Sequence, residues 1–221
     1  MSKIKDPVSG FTHLAWAVLS IAGLVLLIVW AAMYSDEVAW DVVSFSIFGT
    51  SLILLYTFSA IYHLCNVGER ATSVLRKLDH IMIYILIAGT YTPICLGPLR
   101  GGWGWTVFGI VWGFGILGII FTAIWIKAPR WLSTTIYLCM GWAVIIATYP
   151  LITTFLEAGQ FASLGWLLAG GLFYTIGAVI YGLKKPDLHI PGIGFHEIFH
   201  IFVMLGSLCH FWFIFRYILY M

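Results

Sequence analysis

From Phe11 to Tyr34 the chain runs without a single Asp, Glu, Lys or Arg. A bilayer's hydrocarbon core takes about 20 mainly apolar residues as a helix, so this stretch is long enough to cross it. It also exceeds the roughly 7–15-residue apolar core of a cleavable signal peptide and reads as a retained first span. Six more such stretches follow, at about 40–63, 79–98, 103–126, 131–152, 163–183 and 193–217. In lipid, every backbone N–H and C=O must be satisfied within the protein, which restricts these spans to helices. The expected fold is an all-α integral membrane protein, a single bundle of seven transmembrane helices over residues 1–221. Only 9% of residues are charged and 62% are hydrophobic, against roughly 25% charged in soluble domains. No soluble domain fits the short connections, the longest of which, about 64–78, is polar and charged.

The positive charges orient the bundle. An N-terminus on the inside puts Lys3, Lys5, Arg70, Arg76, Lys77, Lys127, Arg130, Lys184 and Lys185 inside and only Arg100 and Arg216 outside. Lys and Arg concentrate in cytoplasmic loops, so the N-terminus is expected in the cytoplasm and the C-terminus outside, in a plasma (inner) membrane. Trp40, Trp103, Trp105 and Trp131 fall near span ends, where aromatic rings favour the interface. A net charge of +2 gives no nucleic-acid signal. The four cysteines show no CxxC and no close spacing, so no disulfide framework is expected. Gly109 and Gly113 form a GxxxG, and Gly170, Gly171 and Gly177 mark the sixth span; small residues suggest close helix packing. Pro93 is expected to kink or end the third helix.

Polar groups inside a membrane are costly and need a reason. Span direction alone brings Ser59 and His63 (second span), Asp79 (third) and His196 and His200 (seventh) to one membrane depth. His196 and His200 lie in HEIFH, four apart and so on one helical face. Three imidazoles with an open position suit a catalytic zinc site. Iron, nickel and copper also bind imidazole, and histidines in membrane helices also bond across helices without metal. Asp79 is placed to hold or deprotonate a water, and Ser59 to bond that water, a substrate or a ligand's outer side. HEIFH also matches the HExxH helix of zinc proteases, with Glu197 as base. His80 points about 100° away from Asp79 on its helix, and His13 opens the first span without a partner in its own helix. His210 lies about 15 Å beyond His200, too deep to share an ion. His189 falls in the loop before the seventh span and is expected to be solvated.

At these residues the chain resembles the bacterial hemolysin III type proteins, within the progestin and adipoQ receptor (PAQR) family. The stretches that carry the likeness are SAIYH at 59–63, LDHIMIYILIAGTYTP at 78–93 and FHEIFHIFVMLGSLCHF at 195–211. The Thr12-His13 pair adds to it, and the likeness covers essentially the whole chain. It implies zinc on His63, His196 and His200, Asp79 beside the metal's water and Ser59 nearby, with the N-terminus inside. In this pattern Glu197 is incidental, although it remains a candidate second base. The resemblance also implies a role in membrane homeostasis and a possible metal-dependent hydrolase acting on lipid amides or esters, with membrane lipid as substrate or ligand. Two other functions stay open, a non-enzymatic lipid sensor with structural zinc and a cytolytic or pore-forming protein. The long soluble N-terminal extension of the eukaryotic receptors has no counterpart ahead of the first span, so a protein-hormone partner is not expected.

Overall fold

The apolar stretches form long helices in the computed structural model, which describes residues 4–125, 128–186, 190 and 192–220. The first four spans are single helices: α1 (Pro7–Tyr34), α2 (Val38–Leu64), α3 (Glu69–Leu96) and α4 (Gly102–Ile124). The fifth span is divided into α5 (Arg130–Gly141), a 3-10 turn (Ala143–Ala147) and α6 (Thr148–Glu157). The last two spans are α7 (Phe161–Leu183) and α8 (Phe195–Phe213), the latter continued by a π turn at Ile214–Ile218. Seven segments are long and apolar enough to cross a membrane. Among the described residues there is no strand, only an isolated bridge between Ile190 and Ile193. Lys3, Lys127 and His189 lie outside the described residues.

Neighbours in sequence pack as neighbours in space: α1 on α2, α2 on α3, α3 on α4 and α7 on α8, with α8 returning against α1. Tyr56, Tyr84, Phe45, Phe48, Phe155 and Phe213 are fully buried between them. Large apolar side chains such as Val18, Leu19 and Val25 on α1 and Phe114, Ile116 and Leu117 on α4 face outward. An outward belt of this kind is stable only where lipid covers it.

Three local features differ from the sequence expectation. First, α3 starts at Glu69, so most of the charged connection before Asp79 is helix. The helix projects beyond its apolar part, and hydropathy alone does not register that extension. Second, the fifth span is not continuous. Tyr91 of α3 bridges the break, its hydroxyl donating to the Gly141 carbonyl at 2.6 Å and accepting from the Val144 N–H at 2.8 Å. One phenol thus satisfies two backbone groups that the interrupted helix leaves open, which is the condition for irregular backbone at membrane depth. Third, the GxxxG of α4 is not a site of close approach: a Cβ at Gly109 or Gly113 would meet nothing within 4 Å among the described residues. The close approach is made by Gly118, where a Cβ would lie 2.2 Å from the Tyr84 ring. Pro93 sits inside α3, which ends at Leu96.

At the end of the bundle away from the N-terminus, Arg100 grips Glu37 with two parallel hydrogen bonds of 2.8 and 3.1 Å. These bonds hold the Glu37 carboxyl below its ordinary value of 4.5. All four cysteines are free thiols.

Candidate metal centre

Asp6 precedes Pro7, the first residue of α1, in the arrangement expected of a helix start. Its carboxylate nevertheless makes no capping bond to its own helix. Oδ2 lies instead 3.1 Å from Nδ1 of His63, at the end of α2. The Asp6 backbone N–H donates to the His63 carbonyl at 2.9 Å, and the Lys5 ammonium sits 3.5 Å from the centre of the Tyr62 ring. The two helices meet closely here because residue 10 is glycine: a Cβ there would fall 2.4 Å from a Leu64 methyl.

This docking decides what His63 can do. A carboxylate accepts the proton on Nδ1, so the ring presents the Nε2 lone pair to the bundle. Nε2 of His63 faces Nε2 of His196 at 3.2 Å. His200, one turn beyond His196, completes the group, and one ring nitrogen from each of the three lies within 4.8 Å of the others. Two nitrogens bound at 2.0–2.1 Å to one tetrahedral ion stand about 3.4 Å apart, so the observed spacing suits a metal. A shared proton between two imidazoles has similar reach, but it would not account for the third ring. The described residues thus hold three histidines close enough for one metal ion. His63 and His200 are buried and His196 is partly so.

His13 of α1 lies flat on His200, with centroids 3.8 Å apart and planes 12° from parallel. Its ring also stands perpendicular to Tyr56, with centroids 5.0 Å apart. Neither of its ring nitrogens finds a hydrogen-bond partner among the described residues. It is not one of the three clustered histidines, but it packs directly against one of them.

Two of the three clustered histidines, His196 and His200, line a cavity of about 430 Å³ that runs between α3, the broken fifth span, α7 and α8, while His63 lies behind them. Ser59, one turn before His63, and Asp79 of α3 line this cavity together with His13, His196 and His200. Asp79 stands outside the cluster itself. His80 lines the same cavity, and its backbone carbonyl accepts from Tyr137 at 3.3 Å. His210 lies at the far end, away from the three histidines.

The glutamate of HEIFH is engaged elsewhere. Oε2 of Glu197 accepts the Gly194 backbone N–H at 2.8 Å, closing the first turn of α8 on itself. Oε1 accepts the Ser9 hydroxyl of α1 at 2.8 Å. Glu197 therefore caps its helix and ties α8 to α1, and the protease-like reading of HEIFH loses its base. Sequence reasoning missed Asp6 and Ser9. The available signal was the Asp-Pro pair at the start of α1, which suggests a local cap and not a partner on another helix.

The whole-chain likeness has a counterpart among known proteins. The model of the family described as "Haemolysin-III related" matches residues 1–211. The "Hemolysin-3 homolog" of Bacillus subtilis (strain 168) is 42% identical over 208 residues, covering 94% of this chain and 92% of that protein. "Hemolysin-3" of Bacillus cereus is 37% identical over 217 residues, covering 98% and 93%. The human "Monocyte to macrophage differentiation factor" is 27% identical over 219 residues, covering 94% and 82%. With the matched region spanning all seven helices and the three clustered histidines except the last residues of the chain, the protein belongs to the haemolysin-III related family of PAQR-type membrane proteins.

Proposed function

We propose that this chain holds a zinc ion on His63, His196 and His200 and hydrolyses a lipid amide or ester at the cytoplasmic leaflet of the plasma membrane, in the service of membrane homeostasis. The N-terminus is then cytoplasmic, in keeping with the nine-to-two distribution of Lys and Arg between the two ends. The observation that carries the reading is a largely apolar cavity, about 430 Å³, lined by His196 and His200, two of the three clustered imidazoles. A structural site closes its ion with four protein ligands, whereas three leave room for a reacting group. The donor set is all nitrogen, which suits zinc.

Zinc bound there supplies a Lewis acid that polarises a carbonyl and lowers the pKa of a water. The chain's own residues do the rest. Asp6 holds His63 in one tautomer and orientation. Asp79, at the cavity wall, accepts a proton as water adds to the carbonyl carbon. It returns that proton to the amine or alkoxide that leaves when the carbon–nitrogen or carbon–oxygen bond breaks. Ser59 offers a hydroxyl to the substrate's polar head, and the apolar wall takes the acyl chain and excludes water.

A second reading is a lipid-sensing protein in which the metal is a brace. It is favoured by the way the cluster and its supports join α1, α2 and α8 through Asp6, His63, His196 and Glu197. The test is metal content and hydrolysis of a lipid amide and ester panel, for wild type, His63→Ala and Asp79→Asn. Catalysis requires about one zinc per chain in wild type and in Asp79→Asn. His63→Ala should lose it, and only wild type should be active. Zinc-loaded wild type that hydrolyses nothing across the panel would leave the brace.

A further inference from the structure

Helix α1 supplies none of the three clustered histidines, yet its first turns touch both helices that carry them. Asp6, Ser9 and His13 follow one another at intervals of three and four residues and so share one face. Asp6 meets His63 of α2, Ser9 meets Glu197 of α8 and His13 meets His200 of α8. The first of these contacts fixes a ring through its nitrogen. The His200 ring has no such anchor, since its Nδ1 makes no hydrogen bond of good geometry among the described residues. Metal-ligating histidines are ordinarily oriented by a hydrogen bond on the ring; at His200 the plane is set by packing.

Among the ring neighbours of His200, His13 is the parallel one. The two planes are 12° apart and the centroids 3.8 Å, which is van der Waals contact across the whole face. His63, His196 and Phe199 stand at 77°, 53° and 63° to the same ring, with centroids 5.1, 4.5 and 5.7 Å away. A tilted neighbour touches a ring at a few atoms, whereas a parallel one blocks its rotation about the Cβ–Cγ bond. His13 is itself firmly seated. It is 3% exposed, Tyr56 stands at 89° to it, and Tyr56 is held by donating to Ser207 at 2.7 Å. Both ring nitrogens of His13 are enclosed without a partner among the described residues, so the ring has no bond to offer a molecule in the cavity. What it presents to His200 is a flat face.

We propose that His13 is a positioning residue: the face of its ring holds the His200 imidazole in the plane that the metal requires. Helix α1 thus presets the site from outside it, Asp6 by a hydrogen bond to one ligand and His13 by a stack on another. Fixing the ring before the ion arrives spares binding the cost of ordering it. The assignment takes from the proposed function only that an ion binds the three histidines, and nothing about hydrolysis.

The experiment is titration of the metal-stripped full chain in detergent with cobalt(II) alone, read by affinity and by the visible absorption band of the bound ion, which reports ligand geometry. His13→Leu and His13→Ala remove the flat face with and without its bulk. Each should bind cobalt about fivefold more weakly, the worth of one aromatic pair, and shift the band. His13→Phe keeps the face and removes both nitrogens, and should bind as wild type does with the same band. Leu27→Ala empties a fully buried position of α1 about 21 Å away; it should lower Tm and leave cobalt binding unchanged. Wild-type affinity and band in whichever of His13→Leu and His13→Ala folds would overturn the proposal. A loss in His13→Phe as large as in those two would overturn it as well, since the nitrogens and not the face would then serve the ion. Equal weakening in Leu27→Ala would reduce the effect to general stability. Wild type that binds no cobalt sinks the metal reading and this assignment together, whereas wild type that binds it, with no loss in the variants, sinks this assignment alone.

Discussion

Replacing Asp6 tests whether a residue far from HEIFH in sequence controls the proposed metal site. Its carboxylate is 3.1 Å from His63 Nδ1, and its side chain is 42% exposed. Removing the partner behind a metal-binding histidine typically costs 10–100-fold in metal affinity. Because this carboxylate is partly solvated, Asp6→Ala should fall at the lower end, about tenfold or ~1.4 kcal/mol. Asp6→Asn leaves an amide oxygen that still accepts the Nδ1 proton. It loses only the charge assistance, roughly half the effect, and should lose about threefold. Both variants keep the backbone bond from residue 6 to the His63 carbonyl, so the α1–α2 junction should persist. The assay is competition for zinc between purified protein and a chromophoric chelator, with His63→Ala as the reference for a lost ligand. Unchanged affinity in Asp6→Ala would refute the orienting role. Loss of zinc as complete as in His63→Ala would refute it in the other direction, making Asp6 a ligand.

Glu197→Ala should lower thermal stability in detergent by about 1 kcal/mol, the ordinary worth of a helix cap, while zinc content stays at the wild-type level. Loss of zinc in that variant would restore the glutamate to the metal site. Gly118→Ala forces a methyl against the Tyr84 ring and should cost about 1–3 kcal/mol. Gly109→Ala meets open space and should be neutral or slightly stabilising; equal Tm shifts for the two would contradict the packing of α3 on α4. Glu37→Gln should lower Tm slightly at neutral pH. Since folding depresses the Glu37 carboxyl below 4.5, its stabilisation is full above that value and fades as pH falls through the folded value. The difference between variant and wild type should therefore vanish in acid, and a difference that grows there would reverse the sign of the linkage.

The bundle was legible because the apolar runs are long and each backbone group in lipid has few ways to be satisfied. The meeting of His63, His196 and His200 was legible too, since the parity of the spans brings the end of α2 and the start of α8 to the same side. The break in the fifth span was not, because its chemical permission comes from Tyr91, some fifty positions earlier in the chain. A GxxxG shows that close approach is possible but not which face meets a neighbour. Here Gly118 is used against α3, and Gly109 and Gly113 are not.

HEIFH shows why letters at fixed spacing do not define a reaction. The two histidines come together as the spacing suggests, because i and i+4 share a face wherever the motif sits in a helix. The role of the glutamate depends instead on where the helix begins. In α8 the N-cap is Gly194, so Glu197 occupies the third helical position, where unpaired backbone N–H groups draw a carboxylate back toward the helix start. Ser9 arrives from α1 and takes the other oxygen. In the middle of a longer helix those N–H groups would already be bonded to carbonyls of the preceding turn, leaving the glutamate available for proton transfer. Extending α8 by an N-terminal turn should therefore free Glu197 from Gly194 without moving His196 and His200 relative to each other. If the Glu197→Ala stability loss stayed undiminished in such an extended variant, the carboxylate would owe its position to Ser9 and not to the helix end.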